Sequence, residues 1–309
     1  MKSFIDDIKE KFDTDILKDF SFNVDMSDYV SFKASGEAMV LYTPSSVSDI
    51  VTVLEFLKSE NIPFVFIGKG SNLLFKSSGY KGVVIKIGNK ISKVDFIPVE
   101  DDKYEVLCLA GASMLKVGIE AMDLSLTGFE PIMLVPGTIG GAIYMNAGAY
   151  GTEIKDIVKS ITVLDVETLE VLEYNREQCN FSYRHSTFME KDLVILGATF
   201  ELSLGNKEEI SNTYKSYKEK RSNAQPLDKA SAGSTFKRPK GDYAGRLIEA
   251  SGLKGVSVGG AMVSEKHAGF IVNYENATVD DIIGLIEKVK ETVFEKENVM
   301  LEEEVQIIG

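Results

Sequence analysis

Residues 135–151 read VPGTIGGAIYMNAGAYG, with five glycines, three alanines and no charged side chain, in a chain of which 26% is charged. Glycine at that density weakens any helix or strand. The segment must therefore adopt backbone angles that side chains resist, or let something approach it closely.

A second stretch, FVFIGKGSNLLF (64–75), reads as a strand running into a glycine-bearing turn. Gly68, Lys69, Gly70 and Ser71 have the wrong spacing for a GxxxxGK[ST] phosphate loop, and Leu73 stands where the dinucleotide fingerprint needs its third glycine. Consecutive N–H groups in such a turn form an anion-binding nest; a plain tight turn is the alternative. In the first stretch, Gly137, Gly140 and Gly141 follow Pro136, and Gly148 and Gly151 follow Asn146, so two glycine-rich turns flank AIYMN. A flat, small-residue surface with free N–H groups there suits a pyrophosphate and an extended cofactor. Close packing in a large core is the other reading.

Composition narrows the classes. The 309 residues allow a large core, and about two domains are expected at that length. A net charge of −13 and the lack of a basic stripe argue against nucleic acid. MKSFIDDIKEKFDTDILKDF mixes both charge signs without the apolar centre of a signal peptide. No apolar run approaches the ~18 residues that span a bilayer. A cytoplasmic chain without membrane insertion is expected. Cys108 and Cys179 are isolated and His185 and His267 are the only histidines, so neither a disulfide nor a metal site is expected.

Periodicity supplies the elements. SSVSDIVTVLEFLKSENIP (45–63) is a capped helix with Val47, Ile50, Val51, Leu54 and Leu57 on one face. FVFIG (64–68) is a buried strand, and 82–87 and 105–111 are two more. SMLKVGIEAMDLSLTG (113–128) is a helix stopping at Gly128. Residues 158–174 form a hairpin turning near Glu167, and 193–202 form another strand. The polar helix 205–226, ended by Pro226, leads into a second unit. There 267–277 is a strand, 279–298 a helix with Ile282, Ile286, Val289 and Val293 on one face, and 299–309 a closing strand. The class is α+β or mixed α/β.

Three further motifs carry possible chemistry. In NFSYRHSTF (180–188), the fork of Arg184 suits a carboxylate, or serves a structural ion pair. In SAGSTFKRP (231–239), Ser234 follows Gly233 without the GxSxG context or a base to make it a nucleophile. It would serve as a proton donor to a carbanion, or as a cap. In LEEEVQ (301–306), read as a strand, Glu302 and Glu304 share a face and Glu303 falls on the apolar side. A solvated acidic edge is the bland reading.

IGKGSNLLF, VPGTIGGAIYMNAGAYG, SYRHSTF, AGSTFKRP, GLKGVSVGGAMVSEKHAGFIVN and VMLEEEV occur in that order. The chain thereby resembles the UDP-N-acetylenolpyruvoylglucosamine reductases, flavoenzymes of peptidoglycan precursor synthesis, over nearly its whole length. The resemblance implies an α+β fold: a two-lobed FAD-binding unit of the vanillyl-alcohol-oxidase type (lobes 1–80 and 81–205) and a substrate-binding domain (206–309). The C-terminal strand of that domain returns a catalytic glutamate.

The resemblance also implies how cofactor and substrate are held. Non-covalent FAD would be held by Gly68, Lys69, Gly70, Ser71, Asn72 and Leu73 of a first loop. Pro136, Gly137, Thr138, Gly140, Gly141, Asn146, Gly148 and Ala149 form the second. NADPH would reduce the flavin, and a hydride from flavin N5 would then convert UDP-N-acetylglucosamine enolpyruvate to UDP-N-acetylmuramate. Arg184 and Glu304 would stabilise the enolate and Ser234 would give the proton, with Tyr183, Gly233, Lys254 and His267 as substrate contacts.

The chain departs from the family pattern at three places. Arg238 stands where the family often has Asn, only Gly36 remains of a glycine pair, and Glu303 replaces a frequent proline. The short interval from Arg184 to Ser234 implies the subgroup lacking a tyrosine-bearing loop. Two rival readings are a flavin oxidase using dioxygen on another sugar and a non-catalytic sugar-nucleotide binder. The oligomeric state is left open.

Overall fold

The structure is a computed structural model describing residues 4–309; Met1–Ser3 of the N-terminal stretch read above lie outside the described residues. The chain divides into two compact units that alternate along the sequence. Unit 1 takes residues up to Ser21, Val40–Lys69 and Val83–Glu219; unit 2 takes Phe22–Met39, Gly70–Gly82 and Lys220–Gly309. Three of the changeovers fall inside strands, β1 (Phe20–Asp25), β2 (Glu37–Tyr42) and β5 (Tyr80–Lys86). Together with β3 (Phe64–Ile67) these make a sheet of order β1-β2-β5-β3. The sequence reading drew continuous domains meeting at 205/206. The compact units instead alternate along the sequence, because segments 22–39 and 70–82 pack with residues 220–309.

Unit 1 begins with α1 (Phe4–Lys11) and α2 (Thr14–Leu17). Helix α3 (Val47–Ser59) starts where Ser46 accepts the Asp49 N–H at 3.1 Å, and it buries Ile50, Val53, Leu54 and Leu57 completely. Strand β3 runs parallel to β5, pairing Phe64 with Val83 and Ile67 with Lys86. Of β3 only Ile67 is buried; Phe64 to Phe66 are half-buried, less than the sequence reading expected.

The larger sheet has the order β12-β11-β13-β7-β6, from β6 (Val94–Glu100), β7 (Lys103–Leu109), β11 (Val158–Asp165), β12 (Val171–Asn175) and β13 (Leu193–Leu204), with β8 (Leu126–Thr127) paired to β13. The β11–β12 hairpin turns where Asp165 Oδ1 accepts the N–H groups of Glu167 and Thr168 at 2.8 and 2.9 Å. Strand β6 has no counterpart in the sequence reading. It contains Pro98 and lies at the sheet edge, where a missing N–H is tolerated. Helix α4 (Met114–Asp123) ends before Gly128, because Ser125 takes the left-handed turn (φ 61°) and Leu126–Thr127 joins the sheet.

The glycine-rich stretch folds as α5 (Ile139–Tyr144) and then β9 (Gly148–Ala149), which pairs with β10 (Thr152–Glu153) and leads into α6 (Ile154–Ile157). The polar helix α7 (Lys207–Ala224) buries only Ile210 along its length.

In unit 2, β4 (Leu73–Phe75) pairs in parallel with the C-terminal β17 (Gln306–Ile308). Strands β14 (Ser257–Val258), β15 (Ala261–Val263) and β16 (Ile271–Asn273) form a small antiparallel sheet after α8 (Ala244–Ala250). Helix α9 (Val279–Glu297) opens with a reciprocal Thr278–Asp281 cap and closes at left-handed Asn298. Its Ile282, Leu285, Ile286, Val289 and Val293 join Phe32, Leu74, Phe236 and Val263 in one core.

The end of the chain corrects one expectation. LEEEVQ is not a strand: regular pairing begins only at Gln306, and Glu303 makes an isolated bridge with Phe236. Glu303 is paired with Lys290 of α9 at 2.7 Å, which accounts for a carboxylate on the inner side.

Ile286→Ala should lower unfolding free energy by about 2–5 kcal/mol, and Glu291→Ala, on the exposed face of α9, should change it by less than about 0.5 kcal/mol. Urea titration followed by circular dichroism separates them. Equal effects would contradict the assigned face.

Candidate active site

In unit 1 the two glycine-bearing loops meet. A Cβ placed on Gly68 would sit 2.3 Å from Thr138 Oγ1, so only glycine lets the first loop lie against the second. Thr138 caps α5, its hydroxyl accepting the Gly141 N–H at 3.4 Å. The N–H groups of Ile139 and Gly140 donate at 2.8 Å to the carbonyls of Ala112 and Ala110. The expected row of free donors is therefore shorter than the glycines suggest. The N–H groups that find no acceptor among the described residues are those of Gly68 and Lys69 in the first loop and Gly137 and Thr138 in the second. Successive uncommitted donors of this kind are what an anion-binding nest requires.

Asn146 does different work. It is fully buried, with its amide donating to Glu153 Oε2 at 2.9 Å and to the Ser182 carbonyl at 2.8 Å, and its oxygen accepting the Lys155 N–H at 3.1 Å. Every polar atom of the side chain is used by the protein. Asn146 thus ties the second loop to the turn that carries Arg184. Ser186 adds to the tie by donating to the Tyr144 carbonyl at 2.6 Å.

That turn is tight. Ser182 and His185 exchange backbone hydrogen bonds at 3.1 and 3.2 Å around Tyr183 and Arg184. Arg184 sits at φ 53°, an angle an L-residue with a long side chain adopts at a cost. Its guanidinium lies 5.0 Å from the Tyr183 ring centroid and 3.5 Å from the Gly148 carbonyl. Gly148 and Ala149 belong to β9, so arginine and second loop form one assembly. His185 is engaged with Glu190 at 2.8 Å.

Unit 2 assembles a second group. Gly70 has φ 71°, and a Cβ on it would strike the Tyr29 carbonyl at 1.9 Å. The N–H groups of Gly70 and Ser71 also find no acceptor among the described residues. Asn72 donates from its side chain to the Glu304 carbonyl at 2.8 Å, and its own carbonyl accepts the Gln306 N–H at 2.9 Å. Leu73 then enters β4. The Glu304 N–H donates to the Thr235 carbonyl at 2.8 Å. Ser234, exposed, is thereby held beside Glu304, half-buried, with the first loop on the other side.

Sequence reasoning missed Thr235. It is fully buried, its N–H donates to the Gly269 carbonyl at 2.9 Å, and its hydroxyl accepts the Ile271 N–H at 3.1 Å. A threonine between a candidate serine and Phe236 gives no sequence signal of that role. Gly233 takes φ 79° in open space, so conformation alone requires glycine there.

The remaining predicted contacts also lie in unit 2. Lys254 pairs with Glu249 at 2.8 Å. His267 accepts the Gly269 N–H on Nδ1 at 3.1 Å; burial pulls its pKa below the ordinary range and the Lys254 charge adds to this, so the ring is neutral at pH 7. Arg238 stacks over Tyr243 at 4.6 Å.

Two stability tests follow. Arg184→Gly relieves the left-handed strain and should leave the protein as stable as before or up to about 1 kcal/mol more so. Asn146→Ala strips a buried, fully bonded amide and should cost about 1–3 kcal/mol. Thermal melts read both; a destabilised Arg184→Gly or a neutral Asn146→Ala would contradict the geometry.

Residues 38–173 match the model of an FAD binding domain, and residues 225–308 match that of the C-terminal domain of UDP-N-acetylenolpyruvoylglucosamine reductase. The UDP-N-acetylenolpyruvoylglucosamine reductase of Caldanaerobacter subterraneus subsp. tengcongensis is 45% identical over 307 residues, 99% of this chain and 98% of that protein. That of Clostridioides difficile is 42% identical over 292 residues, 94% of each. The crystal structure of UDP-N-acetylenolpyruvylglucosamine reductase from Thermus caldophilus superposes with a TM-score of 0.79 at 29% identity, covering 93% of this chain and 98% of that one. The α+β class expected from the sequence is the one observed. On identity sustained across almost the whole length of both sequences, the chain belongs to the UDP-N-acetylenolpyruvoylglucosamine reductase family.

Proposed function

We propose that this protein uses NADPH, through non-covalently bound FAD, to reduce UDP-N-acetylglucosamine enolpyruvate to UDP-N-acetylmuramate in peptidoglycan precursor synthesis. One observation carries the reading: Glu304 is held between Asn72 of the first glycine loop and Thr235, the neighbour of Ser234. Cofactor loop, carboxyl group and candidate proton donor thereby share one fixed backbone.

The chain's own groups fit the cofactor. In unit 1, the uncommitted N–H groups of Gly68, Lys69, Gly137 and Thr138 suit a diphosphate. Bound FAD supplies the hydride that NADPH provides. Arg184 binds the substrate carboxylate with its planar fork and stabilises the negative charge that grows there. Glu304 is the second group, with Arg184, that stabilises the enolate. Ser234 gives its hydroxyl proton to the carbanionic carbon; a weak acid suffices where the acceptor is a strong base.

Residues 206–309 form the substrate-binding part, with Tyr183, Gly233, Lys254 and His267 as contacts. The short interval from Arg184 to Ser234 supports the subgroup without the tyrosine-bearing loop. Among the described residues no helix is long and apolar enough to cross a membrane; we assign the reaction to the cytoplasm.

Ser234→Ala tests the reading. Stopped-flow spectroscopy should show flavin reduction by NADPH unchanged. Reoxidation by the enolpyruvyl sugar nucleotide should fall by about 10²–10⁴-fold. Equal loss of both half-reactions would remove Ser234 from the mechanism.

A further inference from the structure

Lys86 closes β5 directly beside the first loop. Its Cα pairs with that of Ile67, and the Ile67 carbonyl accepts the Ile87 N–H at 2.9 Å. Gly68 and Lys69 follow immediately. The Lys86 ammonium lies 3.0 Å from where a Cβ on Gly88 would stand, and the Gly88 carbonyl lies 2.1 Å from where a Cβ on Gly111 would stand. The residues on either side of Gly111 are Ala110 and Ala112, whose carbonyls accept the N–H groups of Gly140 and Ile139. Within unit 1, strand pairing thus sets Lys86 beside the first loop, and close approaches at Gly88 and Gly111 lead from it to the residues that bond the second.

Lys86 is half-buried and forms no ion pair or hydrogen bond with any described residue. Other half-buried lysines are matched by carboxylates: Lys103 by Glu201, Lys155 by Glu153, Lys237 by Glu302 and Lys290 by Glu303. Burial pulls the Lys86 pKa below the ordinary lysine range. A desolvated cation without a counter-charge weakens the folded state. The uncommitted N–H groups of Gly68, Lys69, Gly137 and Thr138 call for an anion in the same region of the same unit.

Resting on the proposed function, we propose that Lys86 is a cofactor-binding residue whose ammonium pairs with the diphosphate of FAD against these main-chain donors. GVVIKI reads only as a strand and carries no sign of this role.

The test is titration of apo-protein with FAD, followed by flavin fluorescence, for wild type, Lys86→Met and Lys86→Arg, with a thermal melt of each apo form. Lys86→Met should bind FAD about 10- to 100-fold more weakly. Lys86→Arg should stay within a few-fold of wild type, and apo Lys86→Met should melt no lower than wild type. FAD affinity unchanged in Lys86→Met would overturn the assignment. So would equal weakening in both variants accompanied by lowered apo stability, which is the signature of packing. Failure of the wild-type chain to take up FAD would instead overturn the function on which the assignment rests, and the assignment with it.

Discussion

The backbone of Glu304 is gripped from two directions, by the side chain of Asn72 on its carbonyl and by the carbonyl of Thr235 on its N–H. The arrangement of unit 2 follows from this. Strand β17 can run parallel to β4 only if the chain arrives at Gln306 in register, and Asn72 sets that register one residue before β4 begins. The same grip stations Ser234 beside Glu304, because Thr235 is itself locked to Gly269 and Ile271. A glycine loop, a hydroxyl and a carboxyl group from three distant parts of the sequence are thus fixed by main-chain hydrogen bonds.

Unit 1 positions Arg184 by a different device. Its left-handed backbone is unfavourable for arginine and persists because Ser182, Asn146 and Ser186 pin the turn on every side. Glycine would relieve the backbone at this position, and an arginine there accords with the proposed carboxylate contact. Asn146 is the keystone. Its side chain holds the second loop to the turn that carries Arg184.

What could be read from the sequence was what depends on near neighbours. Helices α3 and α9 follow from apolar spacing and caps, and the β11–β12 hairpin from its turn chemistry. Features that depend on distant partners could not be read. Strand β6 is disguised by Pro98 and exposed charges, and the glutamate run looks like a strand although only its last neighbours pair. Glu303 turns inward for Lys290, which lies on another element. The glycines were legible as a requirement but not as a reason. Gly68 and Gly70 make room for other backbone and side-chain atoms of the protein, so glycine content alone overstated the open surface.

In the proposed reaction the two glycine loops hold a flavin which passes electrons from NADPH to a sugar nucleotide. The visible spectrum of the purified protein under nitrogen, with NADPH and then UDP-N-acetylglucosamine enolpyruvate added in turn, tests this. Flavin absorption near ~450 nm should bleach with NADPH and return with the sugar nucleotide, since the cofactor carries the chemistry and the protein orients it. A protein that takes up no FAD on reconstitution, or whose reduced flavin is reoxidised by dioxygen but never by the sugar nucleotide, would contradict it.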